Sequence, residues 1–79
     1  MTNFALWVKG CEINKIELYC LEGDGDTGLY ETKSKYLYKH NYYYNSPVFH
    51  VWIKGKCEFS GLDYLTAQRL YAKRSGKYV

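Results

Sequence analysis

Residues 48–54 read Val-Phe-His-Val-Trp-Ile-Lys, and the reading of this stretch decides the fold class. In an extended chain Phe49, Val51 and Ile53 point one way and Val48, His50 and Trp52 the other. Both sides are largely apolar, which predicts a central strand. Asn45-Ser46-Pro47 forms a turn ahead of it. Gly55 predicts a tight turn or bulge behind it, with Lys56 to Phe59 carrying the sheet onward.

Beyond this strand the period changes. Ser60 has the chemistry of an N-cap, Asp63 suits a helix's first turn, and Ser75-Gly76 supplies a stop, so a helix is expected from about Gly61 to Arg74. On a helical wheel Ala67, Tyr71, Tyr64, Ala72 and Leu65 form an apolar arc facing the sheet. Arg69, Lys73 and Thr66 line the opposite side, while Leu62 and Leu70 fall outside the arc. Lys77-Tyr78-Val79 reads as a tail or a short edge strand.

Toward the N-terminus, residues 29–44 alternate strictly. Tyr30, Thr32, Ser34, Tyr36, Tyr38, His40, Tyr42 and Tyr44 share one side, and Leu29, Glu31, Lys33, Lys35, Leu37, Lys39, Asn41 and Tyr43 the other. Sixteen residues exceed a typical strand, so a bend or hairpin is expected near Thr32–Lys35 or at Asn41. Glu22 to Gly28 is a loop by composition, with three glycines among acids. Lys15 to Leu21 alternates as a strand, and Phe4 to Lys9 reads as another, ended by Gly10. Leu6 to Ile13 echoes Val51 to Phe59 with one residue inserted, which suggests two similar strand ends as neighbours in a sheet. The expected fold is α+β: one domain, residues 1–79, with a small antiparallel sheet of about 4–5 strands packed by one C-terminal α-helix.

A chain of 79 residues buries only about 60% of its unfolded surface and has little room for a deep, dry cleft. With 47% apolar residues and a single proline it is still of globular composition. Cys11, Cys20 and Cys57 cannot all pair within the chain and lack the close spacing of redox or zinc motifs. The N-terminal residues show no basic segment followed by a long apolar run, and no apolar stretch nears the roughly 20 residues that cross a bilayer. These features predict a cytoplasmic protein with reduced thiols, no membrane contact and no cofactor.

Known chemical constellations are not spelled out. Cysteines, His40, His50 and carboxylates are present, but no spacing joins them into a nucleophilic site or a tetrahedral metal site, and His50 reads as a packed, hydrogen-bonded residue. The glycines of residues 23–28 sit among acids that would repel a phosphate. No enzymatic activity is expected.

Two features point to a binding surface. Ten residues are tyrosine, more than so small a core can shelter, and tyrosine combines rigid contact area with a hydroxyl that can stay wet. Charge is also uneven: residues 11–31 carry a net −5, residues 32–79 a net +7. The two blocks either form separate charged faces or neutralise one another across paired strands. Tyr36, Tyr38, Tyr42, Tyr43 and Tyr44 are the expected anchors, Lys35, Lys39, Arg69 and Lys73 the basic contacts, and Asp24 and Asp26 an acidic patch. The first reading is protein–protein contact with a host protein or nucleoprotein complex. The alternative is single-stranded nucleic-acid binding through the Lys/Tyr-rich segment 33–44, with lysines tracking a backbone beside stacking aromatics. A homo-oligomer hiding the tyrosines between copies is a third arrangement. In size, and in lacking catalytic, membrane and export features, the chain looks like the accessory proteins of phages and mobile elements, among them anti-CRISPR proteins. That likeness implies a small inhibitor or adaptor.

Overall fold

The computed structural model describes residues 2–76, so the expectation for Lys77 to Val79 lies outside the described residues. In chain order the elements are α1 (Asn3–Ile13), β1 (Glu17–Asp24), β2 (Thr27–Lys33), β3 (Lys35–Tyr38), β4 (Asn41–Tyr44), β5 (Val48–Ile53), β6 (Lys56–Gly61) and α2 (Tyr64–Ser75). β1, β2, β5 and β6 form an antiparallel sheet in the order β1-β2-β5-β6, and β3 and β4 pair in a separate two-stranded ladder. This is the α+β class that the sequence predicts, with β5 inside the sheet and a C-terminal helix packed on it.

Residues 4–9 are not a strand. They lie in α1, where Phe4, Trp7, Val8 and Cys11 recur at the three- and four-residue steps of a helix face, and Thr2 Oγ1 accepts the Ala5 N–H at 3.1 Å as an N-cap. A short apolar run satisfies either period, and here the cap and this spacing prevail. Gly10 therefore sits inside a helix, and Leu6 to Ile13 is no sheet neighbour of Val51 to Phe59. The two tryptophans of that echo meet across layers instead, with Trp7 and Trp52 ring centroids 5.2 Å apart.

The alternation of β5 creates two cores. Val51 and Ile53 join Leu29, Ala67 and Tyr71 beneath α2, with Phe49, Phe59 and Leu70 packed at the margin. His50 and Trp52 point the other way, with Tyr30, toward Phe4 and Trp7 of α1. The sheet is thus sandwiched between two helices, one more than expected.

Local boundaries also shift. The acidic segment 22–28 is mostly strand: β1 runs to Asp24 and β2 starts at Thr27, leaving Gly25-Asp26 as the turn, with Gly25 at φ 57°. Ser60 is not the α2 cap. It belongs to β6, while Asp63 caps the helix by accepting from the Leu65 N–H (3.1 Å) and the Thr66 hydroxyl (2.6 Å). The buried arc also differs from the expected one: Leu70 packs on the core with Ala67 and Tyr71, while Tyr64 and Leu65 are exposed. Gly76 ends α2 in the left-handed region.

Candidate binding arm and the buried histidine

The long alternation of residues 29–44 resolves into an arm. β2 pairs with β5 as far as Thr32 opposite Val48. Asn45 then hydrogen-bonds Ser34 through its backbone N–H (2.9 Å) and through Nδ2 to Oγ (2.9 Å), and Lys35 faces Tyr44. The residue numbers of a facing pair sum to one less beyond the junction, so Asn45-Ser46-Pro47 holds one extra residue. That is a bulge, and it separates β3–β4 from the sheet while continuing its direction. The sequence predicts a bend or hairpin near Thr32–Lys35 or at Asn41, and the structure has a bulge opposite the first and a hairpin turn just before the second. The turn residues are Lys39 and His40, at φ 49° and 68°. Two central residues with positive φ are the type I′ pattern of two-residue hairpins.

Register assigns the arm's faces. Tyr36 lies opposite Tyr43, and Tyr38 opposite Asn41, so Tyr36, Tyr38 and Tyr43 share one face. Their rings touch: Tyr36 and Tyr43 stack at 5.7 Å, and Tyr38 meets Tyr43 edge-on at 6.4 Å. Lys35, Leu37, Tyr42 and Tyr44 occupy the other face. All five tyrosines are solvent-exposed, from 43% at Tyr43 to 73% at Tyr42, as is Leu37 at 61%. The ammonium groups of Lys35 and Lys39 lie 5.5 and 5.2 Å from the Tyr44 and Tyr38 ring centroids, and Lys33 lies 5.6 Å from Tyr19. The ammonium groups thus lie over tyrosine faces, at distances where a cation–π attraction operates.

At the root of the arm Glu17 accepts the Tyr19 hydroxyl proton at 2.6 Å and stands opposite Lys33 in the ladder. The Tyr19 hydrogen bond, then the Tyr44 hydroxyl, then Lys35 and Lys33 hold its carboxyl below the usual glutamate value. Here one acid of the acidic block stands across the ladder from a lysine of the basic block.

The remaining predicted residues are dispersed. Asp24 ends β1 and Asp26 lies in the β1–β2 turn, at the far end of β2 from the arm, about 20 Å away along the strand at its ordinary rise. There the Asp26 carbonyl accepts the Gly55 N–H at 3.0 Å, tying two turns together. Arg69 and Lys73 are exposed on α2, which starts with Tyr64 against Phe49 (5.3 Å) and carries the Tyr71 hydroxyl toward Gly23. They belong to a helix packed on the four-stranded sheet, whereas the hairpin holds the five tyrosines with Lys35 and Lys39.

A second cluster went unread in the sequence. His50 is 9% exposed, with Nε2 2.8 Å from Thr32 Oγ1 and Nδ1 2.8 Å from Ser60 Oγ. Ser60 Oγ is also 3.4 Å from Cys57 Sγ. His50 and Ser60 face each other across the β5–β6 ladder. Burial pushes the imidazole below its ordinary value, which favours the neutral ring. Register alone brings these residues together, and no spacing in the chain announces it. Among the described residues no group of three or more His, Cys, Asp or Glu side chains is arranged to hold a metal ion.

No protein-family model, curated protein or solved structure matches this chain. No helix among the described residues is long and apolar enough to cross a membrane.

Proposed function

We propose that the chain is a non-enzymatic binding protein whose β3–β4 arm inserts between surfaces of a protein partner, as a small inhibitor or adaptor. One observation carries this reading: the arm exposes aromatic side chains on both faces, beyond the reach of either core. A platform for a flat ligand needs one such face, whereas an arm entering a cleft is contacted on two. Tyrosine suits such anchors because its contact area costs little conformational entropy, and aromatic residues carry much of the energy in protein interfaces. Lys35 and Lys39 would form the polar rim. A host protein or nucleoprotein complex is the partner class this supports, as for accessory proteins of phage type. A reducing cytoplasm suits a chain whose three cysteines are all free.

A second reading, binding of single-stranded nucleic acid, draws on the interleaving of Lys33, Lys35 and Lys39 with the tyrosines. Salt separates the two. Phosphate binding weakens steeply and log-linearly as salt rises, while a tyrosine-anchored protein interface responds far less.

Alanine at Tyr42, Tyr43 and Tyr44 together should leave the circular dichroism spectrum and thermal melting nearly unchanged while abolishing capture of the partner from host lysate. A folded variant that captures the same protein as the parent would sink the proposal. Oligonucleotide binding tighter than about 10⁻⁶ M at physiological salt, lost in the same variant, would favour the second reading.

A further inference from the structure

His50 lies in a line of hydrogen-bonding side chains whose proton positions follow its tautomer. Thr32 Oγ1 is 2.8 Å from His50 Nε2 and 3.5 Å from the Val48 carbonyl, so one tautomer has Thr32 donating to Val48 and accepting from His50 Nε2–H. That tautomer leaves the Nδ1 lone pair facing Ser60, whose hydroxyl proton is then donated to the ring across 2.8 Å. Cys57 Sγ lies 3.4 Å from Ser60 Oγ and 3.6 Å from the Phe59 carbonyl, either of which can accept from its thiol. In that tautomer the protons of Ser60, His50 and Thr32 all point toward the Val48 carbonyl.

Such an arrangement does more than satisfy a buried ring. In this tautomer the imidazole is held by a partner behind it and presents its basic nitrogen to a hydroxyl in front, which is the logic of an activated serine. Trp7 packs edge-on against the ring at 4.9 Å and limits its contact with water. Ser60 itself is exposed, on the outermost strand of the sheet, so a reagent can reach its oxygen. An edge strand also leaves alternate backbone N–H groups without a ladder partner, the kind of donor that a developing oxyanion uses.

We propose that Ser60 is a nucleophile, with His50 as its general base and Thr32 as the positioning residue, that accepts an acyl group from an activated carboxylic ester. Ser60 Oγ forms a bond to the carbonyl carbon and its proton passes to His50 Nδ1. The ester's C–O bond breaks, and the departing alkoxide takes that proton and leaves as the alcohol. The product is an acyl-serine, a covalent modification of the chain that requires no turnover. This site lies in the sheet and is independent of the tyrosine arm.

The test uses a fluorophosphonate, which marks activated serines: an O–P bond forms, the P–F bond breaks, fluoride leaves and the proton goes to His50. Peptide mapping should place the adduct on Ser60, formed at least about 100-fold faster in the folded chain than in the same chain unfolded in urea. The rate should fall on acidification through an inflection below the ordinary histidine value of about 6.5, a profile that a merely structural histidine does not produce. Around the ring the side chains that shape that inflection are Trp7 from α1, Tyr30 and Thr32 from β2, and Cys57 and Ser60 from β6. His50→Gln should remove the labelling. Should that variant fail to fold, the pH profile of the parent chain decides alone. Equal labelling of folded and unfolded chains, labelling confined to tyrosines, or a rate independent of pH through this range would each overturn the proposal.

Discussion

At the scale of single residues, His50 couples the fold to pH. Its buried ring titrates below about 6.5, the value expected in the unfolded chain. Between these two values the unfolded chain binds more protons than the folded one. Stability is therefore complete above about pH 6.5 and declines as pH falls through the window toward the depressed folded value. The urea midpoint should be lower at about pH 5 than at about pH 7.5, and His50→Gln should flatten that difference. An unchanged slope in the variant would assign the acid sensitivity to other groups. Glu17 is shifted in the same direction: its depressed carboxyl adds stability that disappears at lower pH, as it protonates. The two effects weaken the fold in the same acid direction but in separate pH ranges.

At the scale of elements, the arm is the least supported part of the structure. A two-stranded ladder is marginal by itself, and this one turns on Lys39 and His40, side-chain-bearing residues held at positive φ. Each costs about 1 kcal/mol or more relative to a residue suited to that region. Replacing Lys39 with Asn and His40 with Gly supplies the residues that a type I′ turn prefers. The double variant should stabilise the hairpin by about 2 kcal/mol, read as a roughly 30-fold slowing of amide exchange in β3 and β4. No change would mean that tertiary contacts at the root, and not the turn, set the arm's conformation. α1 teaches a related lesson. Its decisive signals, the Thr2 cap and the 4-7-8-11 spacing, were legible in the sequence, but the reading of residues 4–9 as a strand rested on a six-residue window too short to separate the two periods.

At the scale of the whole molecule, packing density falls from sheet to arm. β2 and β5 lie between two helices, whereas every residue of β3 and β4 is exposed. Native-state exchange should divide accordingly. Amides of residues 35–44 should exchange by local opening, at least about 100-fold faster than those of residues 49–53, and with little dependence on added urea. Equal protection of both regions would show that the arm folds as one unit with the sheet, and would remove the basis for treating it as a separate inserting element.

The sequence by itself determined the central strand at residues 48–53, the strands on either side, the C-terminal helix and the break in the 29–44 alternation. Those signals are local: period two, period 3.6, glycine and proline. It also determined that ten tyrosines exceed the capacity of the core, which singled out the arm. Only the tertiary structure decided which layer covers which face, because strand parity divides β5 between two cores without saying that a helix waits on each side. It placed Asp24 and Asp26 at the end of β2 opposite the arm, and Arg69 and Lys73 on a helix packed over the sheet. It also brought His50 to Ser60 and Thr32, residues ten and eighteen positions away, through ladder register. Register depends on pairing between strands, which no local pattern in the chain records.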